Sequence, residues 1–337
     1  MPKVQFKKVA YSVFLWLMPL LCIILALFVG RYPISFTDVW RTFGSLLNLA
    51  EAPSREIVSV ILYLRVPRAI AGAFIGASLA VSGAAFQGIF RNPLVNSGIL
   101  GVSNGAGFGA SLAILIMGSG YAIYPSAFIF GALAVFLSWL SGRIYSTTPS
   151  VTLILGGVIV SSFFAALTSI VKYLADPYTQ LPAITFWLMG SLASIGYKQL
   201  FALLPMSIGM GIIYFCRGKI NALSMGDKEA LALGVNVPFY KFLIIIGATL
   251  CTAAAVCISG SIGWVGLVIP HIARMLIGND NYKLIPLTMS LGACFMVLID
   301  LLARNISGSE IPIGILTAII GTPFYIYLLK KTKGGGW

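Results

Sequence analysis

Apolar residues in this chain fall in long blocks, without the two-residue alternation of a half-buried strand or the 3.6-residue stripe of a soluble amphipathic helix. Cutting at the charged and Pro/Gly-rich stretches leaves about ten apolar segments: 11–30, 62–87, 96–117, 123–144, 150–173, 197–216, 238–259, 262–277, 284–303 and 311–330. A bilayer is crossed by a helix of roughly 17–25 apolar residues, and these segments are close to that length. The predicted fold is all-α: one polytopic membrane domain over residues 1–337, with about ten transmembrane helices.

Composition supports lipid as the main solvent, with 59% hydrophobic and 9% charged residues, against roughly 25% charged in a soluble domain. Lys3, Lys7 and Lys8 ahead of the first segment resemble the start of a signal peptide. The apolar run is longer than an ordinary signal core and no A-x-A site follows, so the reading is an uncleaved first span with a cytoplasmic N-terminus.

The net charge of +13 changes the picture little. Lys and Arg lie between the apolar segments and form no basic face interleaved with aromatics, which argues against nucleic acid. With ten spans and both termini inside, the inside segments hold fourteen basic and three acidic residues and the outside segments eight and six. That bias follows the positive-inside rule. All charged residues can be placed near helix ends, so the mid-membrane acid or histidine of a proton-coupled transporter is missing. Sodium coupling through backbone carbonyls would leave no such mark, so a stand-alone secondary transporter or channel stays open as the alternative.

Candidate chemistry is sparse. Five cysteines (Cys22, Cys216, Cys251, Cys257, Cys294) sit singly in apolar runs and read as packed thiols. His271 is the only histidine, so no metal set can be assembled around it. A membrane-embedded enzyme would need paired carboxylates or a nucleophile with its base, and neither is present. No G-x-x-x-x-G-K-[ST] phosphate loop occurs, so ATP and Mg would be held by another chain and no cofactor by this one.

Residues 221–237 form the most polar interior stretch. Asp227 is a plausible N-cap, Ala230, Leu231 and Leu233 give an apolar side, and Gly234 with Pro238 ends the helix. A short cytoplasmic amphipathic helix is predicted, resting on headgroups or docking into a partner's groove. Its pattern G-D-x-x-A-x-x-L-G (Gly226, Asp227, Ala230, Leu233, Gly234) resembles the coupling loop of the vitamin B12 and iron-siderophore permease family. Three further stretches resemble that family in order along the chain. They are R-V-P-R (65–68) leading to R-N-P-L (91–94) and G-V-S-N-G-A (101–106), G-W-V-G-L-V-I-P-H-I-A-R (263–274), and E-I-P-I-G-I-L-T-A-I-I-G-T-P-F (310–324). Asn96 and Ser97 stand where the family usually has an acid and a proline.

The resemblance implies a permease of an ATP-binding-cassette importer in a bacterial inner membrane. Two copies would surround the pathway, with two ATPase subunits inside and a periplasmic or extracellular solute-binding protein outside. It implies that Gly226, Asp227, Glu229, Ala230, Leu233 and Gly234 contact the ATPase, and that His271 and Arg274 order the cytoplasmic loop beside it. Arg65, Arg68 and Arg304 would meet glutamates of the binding protein, the alternative being helix-end snorkelling. Asn92, Leu94 and Ser150 would narrow the inner end of the pathway, the alternative being helix-breaking turns. The family's cargoes are metal-containing solutes: cobalamin, ferric siderophores, haem, or molybdate and tungstate in one branch.

Overall fold

A computed structural model describes residues 15, 17–118, 120–142 and 149–331. The predicted inside residues Lys3, Lys7, Lys8, Arg143 and Lys333, and positions 146–148 of the S-T-T-P-S turn, lie outside the described residues. Everything described is helix or connecting turn. In chain order the helices are α1 (Leu17–Phe28), α2 (Phe36–Leu46), α3 (Arg55–Ser59), α4 (Val66–Phe90), α5 (Val102–Met117), α6 (Ile123–Gly142), α7 (Ser150–Leu174), α8 (Gln180–Met189), α9 (Leu203–Met225), α10 (Asp227–Ala232), α11 (Val237–Ser259), α12 (Val265–Ile277), α13 (Asn281–Asn305) and α14 (Ile313–Lys331). A π-helical turn, Val60–Arg65, joins α3 to α4, and a 3₁₀ turn, Tyr197–Ala202, leads into α9. Among the described residues six helices are long and apolar enough to cross a membrane, and α1, α5, α12 and α14 carry shorter apolar stretches.

The core forms around α4, whose apolar window is 89% buried. In lipid, hydrophobicity does not draw helices together, so close backbone approach has to. Gly76 touches the backbone of Gly292 on α13, and Gly83 touches that of Gly266 at the start of α12. A Cβ at any of the four would overlap the facing chain. Ser82 and Thr252 hydroxyls meet at 3.0 Å and tie α4 to α11. The five cysteines are buried free thiols.

Several boundaries differ from the predicted ones. The third segment becomes helical only at Val102, because Asn96 Oδ1 accepts from the Gly98 amide at 2.9 Å and Gly101 sits at φ +85°. α9 continues to Met225, past its predicted end at 216, and the short helix predicted within 221–237 spans Asp227–Ala232. Gly226, at φ +141°, makes the break between them. Asp227 therefore lies in the first turn and is not the N-cap. The sequence reading also missed α2 and α8.

Candidate functional site

One end of the helix bundle is assembled from α10, the turn after α4, the start of α7, and α12. α10 is short but locked. Val235 N–H donates to Ala230 O and Gly234 N–H to Leu231 O, both at 2.9 Å, with Gly234 at φ +73°. This pair of bonds is a Schellman closure, and buried Val235 and Ala230 supply its apolar contact. Asp227 accepts from Lys241 Nζ at 2.7 Å, and the Lys241 side chain is only 2% exposed. The ion pair pins α10 to the N-terminal part of α11. Ala230 faces the protein, whereas Leu231 and Leu233 stand 58% and 63% exposed. Glu229 is also exposed.

Arg91, the first residue of the R-N-P-L turn, lies beside the start of this helix. A Cβ built on Gly226 would meet the Glu229 carboxylate and, at 3.5 Å, Arg91 Nη1. In the turn itself Asn92 Oδ1 accepts from Leu94 N–H at 2.9 Å, leaving Leu94 55% exposed. Ser150, at the start of α7, reaches Ile89 O at 3.4 Å. The three gate candidates are thus brought to one place.

Gln87, absent from the sequence-derived candidates, is the hub of this end. Its amide donates to Val95 O at 3.0 Å and to Gly266 O at 3.3 Å, and its carbonyl accepts from Arg274. One buried side chain therefore ties α4, the R-N-P-L turn and α12 together. Its signal was legible: a lone glutamine in an Ala/Gly/Ser span needs partners. His271 and Arg274, predicted to order the loop beside the ATPase, both lie within α12. Arg274 turns inward to Gln87, and His271 is buried in the middle of α12, its ring 6.4 Å from that of Tyr325 on α14. Beyond α12, Asn221 holds the Asp280 carboxyl at 2.9 Å, keeping its pKa below the usual carboxylate range.

The opposite end of the bundle carries the other predicted set, with a different outcome. Arg65, Arg68 and Arg304 are 3%, 8% and 8% exposed. Arg68 grips Asp300 with bonds of 2.7–3.1 Å and Glu310 with two of 2.9 Å. Arg304 Nε lies 3.4 Å from Asp300. Arg65 donates to Leu27 O at 2.6 Å and to Tyr32 O. Arg31 donates to Arg304 O and Ser307 O. Burial raises the Glu310 pKa, but hydrogen bonding and charge from Arg68 outweigh it, so the net direction is down. The docking assignment is corrected accordingly. Arg68 and Arg304 are held by carboxylates and Arg65 by backbone carbonyls, and the Arg68 partners lie 232 and 242 residues away along the chain.

Among the described residues no group of three or more His, Cys, Asp or Glu could hold a metal ion. The site can dock a partner and transmit displacement between helices, but it holds no nucleophile–base pair.

Residues 17–331 match the model of the FecCD transport family. The chain belongs to that family. It is 42% identical over 318 residues to the molybdate import system permease protein MolB of Haemophilus influenzae, covering 93% of each chain. To the probable iron chelatin transport system permease protein of Helicobacter pylori it is 38% identical, over 94% of this chain and 97% of the relative. A solved ABC transporter of metal-chelate type, in an inward-facing conformation, superposes with a TM-score of 0.83 at 39% identity, covering 98% of this chain and all of the other. This FecCD protein is therefore a multi-pass membrane permease subunit of an ABC importer, a transport component and not an enzyme, and works with an ATPase and a solute-binding protein.

Proposed function

We propose that two copies of this permease enclose a central pathway, with both termini cytoplasmic, and that each copy takes its power stroke through α10. The supporting observation is the contrast on that helix. Ala230 and Val235 are buried and Asp227 is pinned to Lys241, while Leu231 and Leu233 project outward. Burying two leucines in a partner's groove contributes about 1.5–3 kcal/mol each. A rigid, internally anchored helix with an apolar outer face suits a lever, since displacement of α10 passes through Arg91 to the turn that holds Asn92 and Leu94. ATP and Mg would bind the ATPase subunit. Alternating access then follows from rigid-body tilting of α7 and α14 against the core.

The cargo in this reading is a metal-containing solute, with molybdate or tungstate favoured by the 42% identity to the molybdate permease. An iron chelate is the second reading, carried by the 38% identity to the iron chelatin permease.

Co-expression with the ATPase subunit tests the lever. The wild-type chain should co-purify with it, and Leu231→Asp/Leu233→Asp should lose it while melting at the wild-type temperature. Retained co-purification would refute the placement of the interface. Uptake of labelled molybdate by proteoliposomes of the whole transporter, compared with a ferric chelate, tests the cargo.

A further inference from the structure

Between α5 and α7 lies an open groove of about 330 Å³, lined by Asn96, Gly98, Asn104, Ser161, Ser162 and Ala165 among others. Its depth is what makes it informative. Ser161 is eleven residues into α7, roughly 16 Å from the helix start at 1.5 Å per residue, and so close to the middle of a hydrocarbon layer about 30 Å thick. The non-helical segment Asn96–Gly101 packs at the same level: a Cβ on Gly101 would lie 3.3 Å from Ser161 Oγ. Irregular backbone at membrane depth is tolerated only inside protein or against a water-filled cavity.

The side chains make the same point. Asn96, Asn104 and Ser162 are exposed at this level. Among the described residues no hydrogen bond within the chain engages the Asn104 side chain or the Ser161 hydroxyl. An unpaired amide facing hydrocarbon is costly, so this face meets water. On α7 the next strip round carries Leu155, Ile159, Phe163 and Ile170, all exposed and apolar, so the polar strip is confined to the groove.

The donor set indicates what passes. Asn96 Oδ1 is already occupied by the Gly98 amide, which leaves its NH2 as the outward group. Asn104 and Ser161 add further donors, and no charged side chain lines the groove. Neutral N–H and O–H donors at the first turn of α5, the positive end of that helix, favour an anion without trapping it. We infer that this groove is a transient hydrogen-bonding station for a small oxyanion of the molybdate or sulfate type, facing its counterpart from the second copy. The inference rests on the importer reading above and assigns to it a specific wet face and ligand class.

Single cysteines at Asn104, Ser161 and Phe215 test it in the assembled transporter, the native thiols being buried. Phe215, 84% exposed on the apolar surface of α9, is the lipid control. A membrane-impermeant sulfonate thiol reagent should modify Asn104→Cys and Ser161→Cys at least about tenfold faster than Phe215→Cys, because a charged reagent partitions poorly into lipid. Millimolar molybdate should slow both groove sites at least about twofold, a difference of roughly 0.4 kcal/mol. Labelling no faster than at Phe215→Cys overturns the wet groove. Fast labelling unaffected by molybdate overturns the oxyanion class. Absence of molybdate uptake by the unsubstituted transporter overturns the cargo reading alone, because the labelling contrast is measured without solute. Asn104→Ala and Ser161→Ala should cut molybdate uptake several-fold, and unchanged uptake in both would also overturn the station.

Discussion

Neutralising Asp300 gives the sharpest test of the ion cluster around Arg68. Its side chain is 4% exposed and lies between Arg68, at 2.7 Å, and Arg304, at 3.4 Å. Asp300→Asn keeps the shape and removes the charge, leaving Glu310 as the carboxylate beside the buried Arg68 and Arg304. Removing one partner of a buried ion pair costs about 3–5 kcal/mol. Glu310, with a side chain 29% exposed, continues to hold one side of Arg68, so the lower end, about 3 kcal/mol, is expected. At roughly 2 °C per kcal/mol for a large domain, melting should fall by about 6 °C. The buried cysteines provide the assay, since a thiol-reactive fluorogenic dye in detergent reports their exposure on unfolding. Arg68→Leu should cost a similar amount. The double variant Arg68→Leu/Asp300→Leu should lose clearly less than the sum, because it removes the charges together. Additive losses, or an unchanged melting temperature in Asp300→Asn, would refute the coupling. Weaker binding-protein docking in Arg68→Glu without any melting change would restore the docking assignment.

Further outcomes follow from other contacts. Gly83→Val should prevent tight packing of α4 on Gly266 and lower stability by at least about 1–3 kcal/mol, read by the same melt; wild-type melting would exclude the close crossing. Because the folded pKa of Glu310 is lowered, its stabilising effect is full above the unfolded value near 4.3 and is lost as pH falls through the folded value. Wild type should therefore lose more melting temperature than Glu310→Gln between pH 7 and pH 4, and parallel curves would count against the Arg68 bridge. Gln87→Leu should leave Val95 O, Gly266 O and Arg274 without their shared partner and cost about 1–3 kcal/mol, with transport reduced more than ATPase binding. Leu94→Cys should cross-link between two copies in one nucleotide state and not in another; state-independent cross-linking would argue against a moving gate.

The sequence by itself determined the solvent and the family. A 59% hydrophobic chain cut into about ten blocks can be stable only in lipid, and hydrophobicity is additive along a chain, so no tertiary contact is needed to read it. The coupling motif was legible for a related reason: Gly226, Asp227, Ala230, Leu233 and Gly234 shape a local helix closure, and local closures are encoded by neighbouring residues. Which partner satisfies a charge was decided only by the tertiary structure. Arg65 read as an outward docking group until the end of α1 and the segment after it offered it Leu27 O and Tyr32 O, and Arg68 did so until α13 and its following loop brought Asp300 and Glu310 against it. Asp227 read as a cap until Lys241 took its carboxylate. Gln87 had no assigned role until α12 and Val95 closed around it. In each case the deciding contact is between segments that sequence spacing does not relate, and in a low-dielectric interior a buried charge or amide adopts whatever partner packing supplies.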